Sequence, residues 1–120
     1  MTIRVNQAAI RHAKSLIREG KVVQDSDWSR ANPTSDEENR FLEKENWTEY
    51  GRWYLALDTD GNEETKERYK FPYGDFKKVH RDGVIAAKQR AAQNDYGAIE
   101  KAADELLDLI DKDAESSQKR

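Results

Sequence analysis

Residues 68–80, RYKFPYGDFKKVH, place four aromatic side chains among basic ones, around a proline and a glycine. Such aromatics either fill a core or stay exposed to stack against a ligand. Pro72 has no backbone N–H for a strand ladder, so it marks the edge or the end of a strand. We therefore predict that residues 69–73 form one arm of a short β-hairpin, with residues 53–57 as the other arm and the turn formers DTDGN (58–62) following it.

The aromatic segment upstream, WTEYGRWYLAL at residues 47–57, fits two patterns. One is a helical stripe: Trp47, Tyr50, Tyr54 and Leu57. The other is a strand-like alternation: Trp53, Leu55 and Leu57. The aromatic enrichment and Gly51 favour extended structure for residues 53–57, but strand and helix both remain open there.

An amphipathic helix is predicted for residues 7–19, because apolar residues recur there at helical spacing. Asn6 is a suitable N-cap, and Gly20 supplies a stop signal. Further along, Ser35 and Glu38 have the spacing of a capping box, which predicts a second, short helix.

The last third of the chain predicts a helical hairpin. Residues 81–93 are rich in alanine and carry a small-residue face suited to close helix contact. Apolar residues recur at intervals of three and four over residues 96–111, with Asp95 as the expected N-cap. Residues 113–120 contain almost no apolar side chain, so we expect a disordered tail there.

A chain of 120 residues suits one domain, which we place at residues 1–112. The predicted elements define an α+β fold that is mostly helical, with an N-terminal helix, a short β-hairpin and a C-terminal helical hairpin. The sequence has no cysteine, no apolar run of signal-peptide length, and no stretch of about 20 apolar residues that could span a bilayer. We expect a cytoplasmic protein without membrane contact.

Charge is segregated along the sequence behind a net charge of −3. Residues 34–65 carry three basic and ten acidic side chains, whereas residues 66–90, the basic block, carry eight basic and three acidic ones. The basic block and its aromatics have the composition of a nucleic-acid surface. Its charge could equally neutralise acidic neighbours in the fold, and the sequence leaves both possibilities open.

No motif for a nucleotide cradle, a zinc site or a thiol nucleophile is present, so we expect no cofactor and no metal. His80 is a candidate general base, with Asp75 or Asp82 to orient it, but the sequence shows no nucleophile beside it. We therefore expect a protein that is not an enzyme. A small His-dependent or metal-dependent enzyme is the third-ranked hypothesis.

Five groups of short motifs are spread over residues 22–110. They are Ser26-x-Trp28-Ser29, Trp47-x-x-Tyr50-Gly51-x-Trp53-x-Leu55, Thr65-Lys66-x-x-Tyr69-Lys70-Phe71-Pro72-x-Gly74, Val79-x-Arg81 and Arg90-Ala91-Ala92-Gln93. Together they resemble an uncharacterised family of small bacterial proteins. The Y-K-F-P segment followed by a helical hairpin is also similar to a domain found beside phage head-maturation proteases. The resemblance implies one unit over residues 22–110 and a phage or prophage connection, and it brings no known activity, cofactor or catalytic residue.

The leading hypothesis is a non-enzymatic module that binds another protein through the basic and aromatic side chains of residues 68–80. The alternative is nucleic-acid binding through the basic block. The residues expected to contact either partner are Lys70, Tyr73, Lys77, Lys78, His80 and Arg81. Neither the identity of the partner nor the oligomeric state follows from the sequence.

Overall fold

The computed structural model describes residues 1–118 and shows an α+β fold that is mostly helical, as predicted. Its helices are α1 (Gln7–Arg18), α2 (Trp28–Ala31), α3 (Ser35–Lys44), α4 (Trp47–Gly51), α5 (Arg81–Gln93) and α6 (Gly97–Gln118). Its strands are β1 (Ile3–Val5), β2 (Val22–Val23), β3 (Tyr54–Asp58), β4 (Tyr69–Pro72) and β5 (Val79–His80).

β3 is the central strand of a three-stranded antiparallel sheet, with β1 on one side and β4 on the other. The pairing of Tyr54 with Pro72 confirms the predicted hairpin of β3 and β4. β1 pairs with the other edge of β3, with Ile3 opposite Asp58. This second pairing was not predicted, because a three-residue strand carries too little pattern to be recognised.

The ambiguous segment at residues 47–57 is helix and strand in succession. α4 begins after Asn46, whose side-chain oxygen accepts a hydrogen bond from the Glu49 N–H at 2.9 Å. β3 then begins at Tyr54. A helix of five residues is too short for its own periodicity to be read, so the helical and extended patterns overlapped in the sequence.

A second, smaller sheet pairs β2 with β5 in parallel, with Val22 opposite Val79 and Val23 opposite His80. β2 follows closely after α1, and β5 leads directly into α5. The pairing therefore holds the loop after β2, which contains Ser26, against His80.

α1 and α5 each end with a residue in the left-handed region. Gly20 follows α1 with a φ of 77°, which confirms the predicted stop. Asp95 follows α5 with a φ of 58°, and the N–H of Tyr96 reaches back to the carbonyl of Ala91 at 2.8 Å. The prediction of Asp95 as the N-cap of α6 is therefore wrong, because its backbone closes the preceding helix instead.

The capping box of α3 lies one residue earlier than predicted. Thr34 is the N-cap: its hydroxyl accepts from the N–H of Glu37 at 3.2 Å, and the Glu37 carboxylate accepts from the N–H of Thr34 at 3.1 Å. Two adjacent hydroxyl residues precede two adjacent glutamates at the same spacing, so the sequence allows either register. Glu38 is left to make a different contact.

Asn6 occupies the N-cap position of α1, as predicted, but its side chain does not cap the helix. The buried amide donates to the carbonyls of Gly51 at 2.8 Å and Tyr54 at 3.0 Å. Asn6 therefore fastens the start of α1 to the junction of α4 and β3.

The C-terminal helical hairpin is confirmed, and its second helix is longer than predicted. α6 does not end near Asp111 but continues to Gln118, so it takes in residues 113–118 of the segment expected to be a disordered tail. The remaining residues of that segment, 119 and 120, lie outside the described residues.

The core lies between the three-stranded sheet and a helical layer of α1, α5 and α6. Leu55 in the sheet and Leu106 in α6 are both fully buried. Tyr73, from the segment that was open to a core or a ligand interpretation, is also fully buried. This part of residues 68–80 is therefore core.

Candidate functional site

The six residues predicted to contact a partner do not form one surface. Lys77 and Lys78 are exposed, and Lys70 is half-buried. Tyr73 cannot contact a partner, because its ring stacks on Trp53 with centroids 5.6 Å apart and its hydroxyl donates to the carbonyl of Arg52 at 2.7 Å. Tyr73 therefore does not belong to the predicted contact surface.

Three of the eight basic side chains in the basic block pair with acidic neighbours in the fold. Lys66 lies 3.4 Å from a carboxylate oxygen of Glu38, and Lys88 contacts Asp104 on α6. The Arg81 guanidinium makes two hydrogen bonds to the carboxylate of Asp111, at 3.0 and 3.3 Å, so this predicted contact residue is already paired. Among the ion pairs of the described side chains, none involves Lys77 or Lys78.

A groove of about 380 Å³ opens between α2, β4 and α5, and we call it the aromatic groove. Its lining residues are Trp28, Ser29, Asn32, Phe71, Pro72, Ala86, Ala87 and Arg90. Two aromatic rings, a proline and two alanines make the lining largely apolar, with polar groups at three positions. Of the residues predicted from the sequence to contact a partner, none lies in this groove.

The shape of the aromatic groove depends on two local features of the backbone. Phe71 has a φ of 63°, an uncommon conformation for a bulky residue, and its ring meets Tyr96 edge-on with centroids 6.1 Å apart. On the other side, a Cβ at Gly83 would lie 2.9 Å from the ring of Trp28 and 2.9 Å from the carbonyl oxygen of Tyr73. The absence of a side chain at Gly83 therefore lets the Trp28 ring approach α5.

Arg90 supplies a positive charge at the aromatic groove. It is exposed, and its guanidinium makes no ion pair or hydrogen bond with any described side chain, unlike Arg81 and Lys88 on the same helix. A guanidinium in this state can form a two-pronged contact with an incoming carboxylate.

A second cluster surrounds His80, which is only 5% exposed. Its Nδ1 lies 3.0 Å from the Ser26 hydroxyl, and its Nε2 lies 3.0 Å from a carboxylate oxygen of Asp75. Of the two acidic residues proposed to orient His80, the structure therefore places Asp75 in that position. Asp82 instead accepts a hydrogen bond from the Ser26 N–H at 3.0 Å.

Asp75 is held in place by backbone donors. One of its carboxylate oxygens accepts from the N–H groups of Lys77 at 3.0 Å and Lys78 at 2.7 Å, and the other faces His80. Burial opposes ionisation, but the hydrogen bonds from His80 and from these two N–H groups outweigh it and lower the pKa of Asp75 below its ordinary value. The carboxylate is thus ionised at neutral pH.

A third location combines His12 with arginines. A cavity of about 240 Å³ is lined by Arg11, His12, Arg52 and Ala8, and the His12 ring meets Trp53 edge-on at 5.0 Å. Burial, with a further contribution from the Arg52 charge, lowers the pKa of His12 below its ordinary 6.5.

The Ser26 contact and the aromatic groove were both missed by the sequence analysis. Ser26 and His80 are 54 positions apart, and the parallel pairing of β2 with β5 that joins them involves two residues per strand. The groove is formed by three separate segments, and the sequence linked residues near 28 to the Y-K-F-P segment only through the motifs of the family resemblance.

Comparisons of the chain with protein-family models, curated proteins and solved structures found no significant match. Among the residues that the structure describes, no helix combines the length and the apolar character needed to cross a bilayer.

Proposed function

We propose that the protein is an interaction module that binds a peptide segment of another protein in the aromatic groove. The observation that carries the proposal is the groove itself. There the half-buried rings of Trp28 and Phe71 lie beside the guanidinium of Arg90, which pairs with no side chain in the described part of the chain. Aromatic and arginine side chains dominate the energetics of protein recognition.

The lining favours a peptide with an apolar side chain next to an acidic one. Trp28, Phe71 and Pro72 offer apolar surface to the first, and Arg90 offers a charge-assisted hydrogen bond to the second. A volume of about 380 Å³ accommodates one or two side chains rather than a folded element. This binding site differs from the basic and aromatic surface predicted from the sequence, although the proposed partner is another protein in both cases.

A peptide also fits better than a polar small molecule. Within the described residues, every buried side-chain nitrogen and oxygen already has a hydrogen-bond partner. The three polar side chains of the groove, Ser29, Asn32 and Arg90, are exposed, whereas small-molecule sites depend on a few precisely placed polar groups inside a concave pocket. The resemblance to a domain found beside phage head-maturation proteases supports a search for the partner among phage or prophage proteins.

Nucleic-acid binding is the second candidate, and it is favoured by Lys77 and Lys78, which are exposed and make no ion pair with the described side chains. The pairing of Lys66, Arg81 and Lys88 with carboxylates weighs against it, because those charges are already neutralised within the fold.

The test is selection of peptides from a random display library on the immobilised protein, followed by fluorescence anisotropy with the selected peptides. Ala86→Trp would fill the groove, and Ala92→Trp places the same side chain on an exposed position of α5 outside it. We expect the selected peptides to pair an apolar with an acidic residue, and Ala86→Trp to weaken binding at least tenfold while Ala92→Trp leaves it unchanged. A failure to select any sequence pattern, or equal binding by the two variants, would contradict the proposal.

A further inference from the structure

The Ser26, His80 and Asp75 side chains have the contacts of a nucleophile, a general base and an orienting carboxylate. We propose that Ser26 is an activated nucleophile that takes an acyl group from an activated ester and passes it to water. This activity does not rest on the peptide-binding proposal, because it is carried by different residues and contacts.

The hydrogen bonds determine the tautomer of His80. The ionised carboxylate of Asp75 can only accept, so the ring nitrogen that faces it, Nε2, must carry the hydrogen. In the neutral imidazole Nδ1 is then an acceptor, and the Ser26 hydroxyl 3.0 Å away donates to it. The Ser26 proton therefore already points at a base, which is the arrangement that activates a serine for attack.

The two ring nitrogens have exchanged their usual roles. In most triads of this kind Nε2 faces the serine and Nδ1 faces the carboxylate, whereas here Nδ1 faces Ser26 and Nε2 faces Asp75. The chemistry depends on having a base on one side of the ring and an anchored carboxylate on the other, and both are present. Asp75 fixes the ring as a positioning residue, because its own carboxylate is locked by the Lys77 and Lys78 N–H groups.

Access to the cluster lies on the serine side. His80 is almost fully buried, with the Trp28 ring over it at 5.4 Å, whereas Ser26 is half-buried. The proposal therefore places the acyl donor on the exposed side of Ser26, with the imidazole shielded from bulk water. Trp28 also lines the aromatic groove, so the two sites share one side chain.

The reaction on an ester balances as follows. The Ser26 oxygen bonds to the carbonyl carbon, its proton moves to His80 Nδ1, and the bond to the alkoxide or phenolate breaks so that this group leaves with the proton. Water then attacks the acyl-serine, gives a proton to His80 and releases the carboxylic acid, after which Ser26 regains its hydrogen. The net change is ester plus water to acid plus alcohol, with no other reactant.

The backbone restricts the substrate class. The Ser26 N–H, which in many acyl-transfer sites would stabilise the developing oxyanion, already donates to the carboxylate of Asp82 at 3.0 Å. Reaction therefore requires an acyl group with a good leaving group, such as a nitrophenyl ester, rather than an amide.

The first experiment uses the full chain with a fluorophosphonate probe, from which the Ser26 oxygen displaces fluoride, and with p-nitrophenyl acetate. Peptide mass spectrometry locates the adduct. We expect the adduct on Ser26 and an unchanged labelling rate in Ser15→Ala. In His80→Gln and Asp75→Asn, labelling should be at least about 100-fold slower, since a general base contributes about 10²–10⁴-fold. The absence of an adduct on Ser26 would overturn the proposal, as would equal labelling rates in the wild type and in folded His80→Gln and Asp75→Asn.

A second experiment avoids dependence on variants of the buried His80. The chain has no cysteine, so Ser26→Cys introduces a unique thiol, and Ser15→Cys on the exposed face of α1 is the matched control. We expect iodoacetamide to alkylate Ser26→Cys with a pH midpoint below that of the control, which should lie near about 8.5. Equal midpoints, or a thiol at position 26 that does not react, would overturn the proposal.

Discussion

The carboxylate of Glu38 on α3 accepts a hydrogen bond from the hydroxyl of Tyr54 on β3. The hydroxyl of Tyr50 donates to the same carboxylate oxygen at 3.0 Å, and Lys66 lies 3.4 Å from the other. Burial raises the pKa of both tyrosines above the ordinary value, so they stay protonated and remain donors. Because α3 has no fully buried residue of its own, this cluster is its main polar attachment to the sheet.

Tyr54→Phe removes one of the donors to Glu38. Hydrogen bonds to charged groups contribute about 1.5–3 kcal/mol, so we expect a loss of that size in the free energy of unfolding by urea. Amide hydrogen exchange should also quicken in α3. Tyr96→Phe is the control, since the Tyr96 hydroxyl makes no hydrogen bond within the described residues, and it should change stability by less than about 0.5 kcal/mol. Equal effects of the two variants would show that the cluster does not hold α3.

Leu106→Ala tests the packing of α6. Leu106 is fully buried in the core, so its truncation should cost about 2–5 kcal/mol in unfolding free energy. Leu107→Ala, at the neighbouring half-buried position, should cost clearly less. A cost below about 0.5 kcal/mol for Leu106→Ala would mean that α6 does not pack on the core as described.

Gly83→Ala and Gly97→Ala make the same change in two helices with opposite expected results. A Cβ at Gly83 would lie 2.9 Å from the Trp28 ring and from the Tyr73 carbonyl oxygen, and we expect a loss of about 1–3 kcal/mol. A Cβ at Gly97 would meet no neighbouring atom within 4 Å. Alanine there should be neutral, or stabilise by up to about 1 kcal/mol because it lowers the conformational entropy of the unfolded chain. Thermal melting of both variants distinguishes the outcomes, and a stabilised Gly83→Ala would contradict the close approach of Trp28.

His12 should make stability depend on pH. Its folded pKa is lowered, chiefly by burial and then by Arg52, so between that value and 6.5 the unfolded chain binds more protons than the folded one. The contribution of neutral His12 to the free energy of unfolding is complete above pH 6.5 and is lost as the pH falls through the folded pKa. We expect the urea midpoint to fall more steeply between about pH 7.5 and 5.5 in the wild type than in His12→Phe. Parallel curves would contradict the lowered pKa.

Lys77 and Lys78 decide the nucleic-acid alternative. If they bind phosphates, affinity for labelled single or double strands should fall with salt by a log-log slope of about −0.7 to −0.9 per phosphate neutralised. We expect weak or undetectable binding near physiological salt, because acidic flanks repel the ligand and three of the eight basic side chains in the block are paired. Micromolar binding that Lys77→Glu/Lys78→Glu abolishes, but Lys101→Glu/Lys112→Glu on α6 does not, would favour nucleic acid over a peptide.

The parts of the fold predicted correctly are those whose signal is local. Residues 7–19, 81–93 and 96–111 carry enough turns of helical periodicity to be recognised alone, and the hairpin is marked by its turn formers and Pro72. One error, the register of the capping box, occurs where a local signal is duplicated. Thr34 and Ser35 offer two equivalent caps, and only the packed structure selects one.

Of the candidate sites, the sequence indicated the contact of Asp75 with His80, five positions apart, but contacts between residues distant in sequence could not be predicted. The Ser26 contact with His80 depends on a parallel strand pair, and the Arg81 contact with Asp111 depends on how α5 and α6 align. Charge counts showed that opposite charges exist in neighbouring blocks, but not which of them meet. Tyr73 illustrates the same limit, since an aromatic in a basic segment has the same sequence signal whether it is buried or exposed.

The position of β1 has a consequence for synthesis of the protein. Ile3 pairs with Asp58, and the apolar face of α1 is covered by α6. On the ribosome, the first strand and helix therefore emerge long before the segments that complete their contacts. The nascent chain should keep this helix exposed as a binding site for chaperones until α6 has left the ribosome, and the domain should complete its folding only after that point.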